Sequence, residues 1–374
     1  MKRVVLVTAH YFESKRKAGF HWLAEAYWKA GCDVTFVTAS LSWLSYFSRD
    51  HRLAYPVVKE RLRLKPLRER LTSYVWFTPW HPAHLRSDRL NRLSTPFFRG
   101  YGDLAMPGLE PIIRQADLFV FESSLGLMLL DRFKHLNPSA RYVYRVSDDL
   151  RLMRNHPILL EVEARCAPQF DLVSSPSASV HRHFAHLQQA VVQHHGINKD
   201  LLDVPTTSPY PPGTRNFVFV GNAYLDHRFF EIACAERPDY RFHVIGPIPG
   251  LEAGPNLFVY GELPFAETVP FLQHADAGLH TLAYSNGAEA FTDSLKVMQY
   301  TYLGLPIVAP EFLRSDRPHL FCYQPEDPAS IRTALDGALQ YDRSQVPRRS
   351  VRSWEELAQA LYPDLNAVST PSGS

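Results

Sequence analysis

Residues 1–37 read MKRVVLVTAHYFESKRKAGFHWLAEAYWKAGCDVTFV, and this stretch decides the fold. Residues 4–7 are a short apolar run. Phe20, Leu23, Ala24, Tyr27 and Trp28 then recur at helical spacing, Gly31 ends the helix, and residues 34–37 read as strand again. Strand, helix and strand in that order make a βαβ unit, which predicts a parallel sheet covered by helices. The alternation continues with strands at 117–121, 140–146 and 171–174 and a helix at 125–133. Residues 205–215, rich in Pro, Ser, Thr and Gly, read as a linker. A second series follows, with strands at 217–221, 240–245, 257–260, 277–280 and 306–309 and helices at 265–274 and 294–303. The expected fold class is therefore α/β, with two Rossmann-like domains facing a central cleft. The first spans 1–204, the second spans 205–350, and 351–374 form a terminal helix and frayed tail.

Composition sets limits on function. A hydrophobic content of 45% with 21% charged residues is that of a globular chain and excludes a disordered one. The four cysteines form no C-x-x-C pair, which excludes a disulfide framework and a cysteine zinc site and fits a reducing cytosol. No apolar stretch approaches the ~20 residues that cross a bilayer. The net charge of +2 hides an asymmetry: residues 1–100 hold 18 Lys/Arg and 7 Asp/Glu, net +11, while the remainder holds 22 and 31, net −9. Between 45 and 100, Arg61, Arg63, Lys65, Arg68, Arg70, Arg86, Arg89, Arg92 and Arg99 alternate with Tyr74, Trp76, Phe77, Trp80, Phe97 and Phe98. Cations beside aromatic rings suit an anionic membrane surface. Core aromatics beside a solvated basic face give the same composition, as does a single-stranded nucleic-acid binder. The expectation is a peripheral protein on the cytoplasmic face of a membrane, with no nucleic-acid partner.

Ligands of open α/β sheets bind beyond the carboxyl ends of strands, so the loops there are where the chemistry is expected. Asp293-Ser294 can cap a helix starting near Leu295, whose N-terminus binds phosphate, with Lys296 in its first turn and Gln299 one turn on. The turn containing Asn222 and Tyr224 follows the first strand of the second series, and Glu262, after another strand, can hold a ribose hydroxyl pair. In the first half Ser147-Asp148-Asp149 ends a strand, where a carboxylate can take a proton from a hydroxyl. The loop holding His10, Lys15, Arg16, Lys17 and His21 suits an anionic group, and an arginine fork pairs with a carboxylate. Each of these residue types also occurs in ordinary turns and solvated loops. The 17 histidines show no metal-ligand spacing, so no metal or other cofactor is expected.

Several ordered segments carry more weight together: AHYFESKRKAGFHWL (9–23), FESSLGLMLLDRFKHLNPSARYVYRVSDDL (121–150), HHGINKDLLD (194–203), FVFVGNAYLDHRFF (217–230), FHVIG (242–246), VYGEL (259–263) and DSLKVMQYTYLGLP (293–306). They resemble the GumK-like glucuronosyltransferases of xanthan-type exopolysaccharide synthesis, which are inverting GT-B enzymes. The resemblance implies a UDP-glucuronate donor, no bound metal, and a polyprenyl-diphosphate-linked glycan acceptor at the inner membrane. It places the catalytic aspartate on Asp148. It places the UDP contacts on Glu262, Tyr284, Asp293, Ser294, Lys296 and Gln299, and a basic pair on Arg16 and Lys17. Three positions depart from the family pattern: Asp149 stands where the family has glycine, Ala223 where it has methionine, and Asp293 where it has the first of two serines. Another nucleotide-sugar donor, a retaining transferase and a non-catalytic nucleotide-sugar binder are the alternatives.

Overall fold

The computed structural model describes residues 1–15, 17–221, 224–284 and 287–366. The chain forms two compact units, one comprising Met1–Gln193 with the segment from Trp354 onward, the other His194–Ser353.

The first unit is built on an eight-stranded sheet: β1 (Arg3–Thr8), β2 (Asp33–Ser42), β3 (Leu64–Arg68), β4 (Leu71–Thr78), β5 (Leu118–Glu122), β6 (Arg141–Arg145), β7 (Leu172–Ser175) and β8 (Ala190–Val192). Their order is β3-β4-β2-β1-β5-β6-β7-β8. All pairs are parallel except β3 with β4. Val4 to Val7 are buried on both faces because helices cover both sides, which is why β1 reads as an unbroken apolar run rather than an alternation. Helix α1 (Gly19–Lys29) buries Phe20, Leu23, Ala24 and Tyr27 against this sheet, the face its sequence period predicts. The chain moves from β1 to β2 on one side and returns to β5 on the other. The strand order therefore reverses between β1 and β5, where a ligand crevice is expected.

Part of the 45–100 reading is corrected by β4. Tyr74, Trp76 and Phe77 lie in this strand and are buried, and Phe98 is buried too, so these rings are core. Helix α2 (Asp88–Phe98) buries only Asn91 and Phe98 and leaves Leu90, Leu93 and Phe97 at 51%, 78% and 59% exposure beside the exposed Arg86, Arg89, Arg92 and Arg99. Trp43, Tyr46 and Phe47, outside the predicted aromatic set, are also exposed. No helix among the described residues is long and apolar enough to cross a membrane.

The second unit holds six parallel strands: β9 (Arg215–Val220), β10 (Tyr240–Ile245), β11 (Leu257–Gly261), β12 (Ala277–Leu279), β13 (Ile307–Pro310) and β14 (Leu320–Tyr323), in the order β11-β10-β9-β12-β13-β14. Its order reverses between β9 and β12. Helix α3 (Leu295–Leu303) follows β12 and ends in Gly304, whose φ of 72° is the left-handed cap glycine adopts without strain. The boundary expected at 204/205 falls inside this unit, which begins at His194. The N–H of Ile197 donates to the carbonyl of Arg352 (3.0 Å), joining the unit's two chain ends. The last helix, α4 (Trp354–Leu361), belongs to the first unit, with Trp354, Leu357, Ala358 and Leu361 buried in the core that α1 also lines.

Candidate active site

In the second unit most of the sequence-derived candidates gather at the β9/β12 reversal. Ser294 is the N-cap of α3, but its hydroxyl makes no capping bond and is buried without a partner. Asp293, expected to help cap that helix, turns instead to Arg317, with which it pairs, and its Oδ1 lies 3.9 Å from His194 Nδ1. That pairing neutralises the carboxylate at the start of the helix. Lys296 lays its ammonium 4.0 Å from the centre of the Phe219 ring, and no carboxylate pairs with it among the described residues. Burial of that charge pushes its pKa down to about 7. Gly221 makes room for it: a Cβ there would stand 2.9 Å from Lys296 Nζ and 3.0 Å from Phe219. Gly246, at φ 147°, is packed so that a Cβ would overlap the Gly221 carbonyl.

Two residues after β12 complete this environment. His280 is buried with Nε2 2.9 Å from the Phe291 carbonyl and Nδ1 without a partner. Burial, with the Lys296 and Arg317 charges adding, lowers its pKa to about 3, so the ring is neutral. The Thr281 hydroxyl is likewise buried and unpartnered. Gln299 is buried one turn beyond Lys296. A helix start offers N–H groups that have no partner within the helix. Together with an unpaired amine and free hydroxyl it makes a site for an anion of phosphate type. Tyr224 and Tyr284 are exposed, their rings 5.5 Å from Phe291 and 5.3 Å from Phe312. Glu262 is exposed just beyond β11.

In the first unit the ends of β1, β5 and β6 converge on two carboxylates. Glu122, the last residue of β5, is buried, and accepts hydrogen bonds from the Thr8 hydroxyl and from the Ala9 N–H at 3.3 Å. Its Oε1 lies 3.4 Å from His10 Nε2. Burial alone would raise its pKa, but the His10 charge and the hydrogen bonds of His10, Thr8 and Ser147 bring it below the usual carboxylate value. Asp148 lies three residues past β6, its N–H donating to Ser123 Oγ at 3.0 Å. Its residue surface reaches solvent, yet its carboxyl is crowded enough that desolvation raises its pKa, the Glu122 charge adding to the rise and His10 opposing it. Asp149 is committed elsewhere: it accepts from the Arg151 N–H at 2.9 Å and lies 3.1 Å from His183. Ser123 also lines a cavity of about 400 Å³ with Arg52, His84, Arg86 and Arg154.

Residues 6–176 match the family described as glucuronosyltransferase GumK, N-terminal domain. Over 98% of this chain and 92% of the relative, the sequence is 28% identical to the UDP-glucuronate:glycolipid 2-beta-glucuronosyltransferase of Xanthomonas campestris pv. campestris. In that N-terminal stretch the chain is similar to the GumK glucuronosyltransferases. Solved structures show its fold. The trehalose-6-phosphate protein of E. coli bound with UDP-2-fluoro glucose superposes with a TM-score of 0.66 at 12% identity, covering 98% of this chain and 100% of that one. An alpha,alpha-trehalose-phosphate synthase (UDP-forming) from Burkholderia xenovorans gives 0.59 at 11% identity, covering 97% and 100%. The architecture is GT-B, with two Rossmann-like domains.

Within this GumK-like chain, the sequence-derived set divides among locations. Asp293, Ser294, Lys296 and Gln299 come together at the start of α3, Tyr224 joins them through Phe291, and Glu262 and Tyr284 stand on neighbouring loops. Arg16 and Asn222 lie outside the described residues. Lys17 folds back on its own loop, its Nζ donating to the Phe12 carbonyl at 2.6 Å. Glu122, Ser123, His280, Thr281 and Arg317 stand beside these candidates and were not singled out from the sequence. The acidic end of the apolar run at 118–122 was a usable sign for Glu122. Arg317 offered none, because its pairing with Asp293 spans 24 residues. Among the described residues no group of three or more His, Cys, Asp or Glu could hold a metal ion.

Proposed function

We propose that this protein is a GumK-type enzyme that transfers glucuronic acid from UDP-glucuronate to a glycolipid, with inversion at the anomeric carbon. The observation carrying this reading is the unpartnered set of Ser294 Oγ and Lys296 Nζ at the positive end of α3, which suits the donor diphosphate. UDP lies against the second unit, Glu262 holding ribose hydroxyls and Tyr224, Tyr284 and Gln299 completing the pocket. As the acceptor oxygen bonds to the anomeric carbon, its proton passes to Asp148. The bond from that carbon to the β-phosphate oxygen breaks, and its electron pair leaves with UDP. Charge growing on the leaving group meets Lys296 and the α3 N–H groups, already in place before reaction. The related Xanthomonas enzyme acts on a glycolipid, and the exposed Leu90, Leu93 and Phe97 among arginines suit an anionic membrane carrying such an acceptor, polyprenyl-diphosphate-linked in the fullest form of this reading.

Asp148 serves as base rather than Asp149 because the latter is held by Arg151 and His183. Transfer from labelled UDP-glucuronate to glycolipid extract, with donor binding measured in parallel, tests the assignment. Asp148→Asn lowers turnover by ~10²–10⁴-fold and leaves donor affinity unchanged. Retained turnover in Asp148→Asn, with loss in Asp149→Asn, would move the base by one residue.

A further inference from the structure

The central strands of the first unit end on a cluster that the transfer reaction as described leaves unexplained. Glu122 closes β5 in the middle of the sheet, and burying a carboxylate there is costly unless it is paired. Its partners are the Thr8 hydroxyl, the Ala9 N–H and the His10 ring. That ring is fixed by its backbone: the His10 N–H donates to Thr8 Oγ1 at 3.0 Å, and its carbonyl accepts from Thr38 Oγ1 at 2.8 Å. The side chain is still 40% exposed. A base beside a buried like charge is held protonated, which is the wrong state for taking a proton. A cation 3.4 Å from the Glu122 carboxylate opposes this, and the His10 charge acts on Asp148 in that sense.

We propose that His10, anchored by Glu122, is a positioning residue for Asp148: its imidazolium offsets the Glu122 charge and keeps Asp148 ionised to accept the acceptor's proton. This rests on reading Asp148 as the base. The other charged groups around the cluster fit that role. Arg52, whose charge opposes protonation of His10, is occupied by Asp50 at 2.6 Å and by the Ala9, Ala39 and Ser40 carbonyls. His21, its ring 5.6 Å from that of His10, is kept neutral by burial, its pKa lowered to about 4. Desolvation pulls His10 downward, but Glu122, with Asp148 adding, raises its pKa above the free value.

Two measurements on the full-length protein test this. The pH dependence of transfer is compared in wild type, His10→Gln and Asp148→Asn. In His10→Gln the acidic limb of the profile moves to higher pH with little change in donor KM, since a residue that only supports the fold has no reason to move the limb. Separately, ¹³C-labelled histidine is titrated by NMR, the His10 signal being assigned from its absence in His10→Gln. It titrates above the ordinary histidine value of ~6.5 in wild type and lower in Asp148→Asn. An inactive Asp148→Asn with an unmoved limb in His10→Gln, or with identical His10 titrations in wild type and Asp148→Asn, overturns the proposal alone. An active Asp148→Asn overturns the base assignment itself and the proposal with it.

Discussion

Lys296 is an amine whose charge depends on what binds beside it. Burial without an anionic partner lowers its pKa to about 7, while a diphosphate at the start of α3 favours the ammonium form. The pKa in the complex is therefore higher than in the free protein, and donor binding takes up a proton at pH values between the two. Affinity for UDP-glucuronate, whose diester phosphates do not titrate in this range, should rise as pH falls from 9 toward 7 and level off below. Calorimetry in buffers of different ionisation heat should show the proton uptake at pH 8 in wild type and not in Lys296→Met. The Asp293–Arg317 pair gives a second test at this scale. Arg317→Ala leaves a carboxylate uncompensated at the helix start, and donor affinity should drop about tenfold or more, roughly 1.4 kcal/mol. Arg317→Ala with Asp293→Ser should recover most of it, and failure to recover would give Arg317 a direct role at the phosphates. Lys296, Ser294 and Gln299 were legible because helix-start chemistry is local in sequence. His280, Thr281 and Arg317 were not, because their part depends on strand order and on long-range pairing.

The elements repeat that division between local and distant. β1, α1 and β2 were readable because their apolar periods are clean, and the strands of the second series stand close to where they were expected. β4 was obscured by the arginines flanking it, although LTSYVWFT is an apolar run of strand length. The helix α4 was legible as a helix, but its destination was not: Trp354 packs so closely that a Cβ on Gly19 of α1 would stand 3.1 Å from its ring. Leu357, fully buried in that helix, should cost ~2–5 kcal/mol when cut to Ala, seen as a fall in the denaturation midpoint. An unchanged midpoint would mean that α4 contributes little to the first unit.

Across the whole chain, the basic excess of residues 1–100 coincides with the exposed apolar side chains of the first unit. Sedimentation with anionic vesicles should therefore pull down the protein, less so at high salt, and Leu93→Glu with Phe97→Glu should weaken the binding without changing donor affinity. Equal sedimentation of that variant would remove α2 from the membrane surface. The most direct test of the central claim is a calorimetric titration of UDP-glucuronate into wild type and Lys296→Met, with UDP-glucose as the comparison donor. One donor per chain, glucuronate preferred over glucose, and a marked loss in Lys296→Met are the predicted results. Absence of binding in wild type, or undiminished binding in Lys296→Met, would contradict a nucleotide-sugar site at the start of α3.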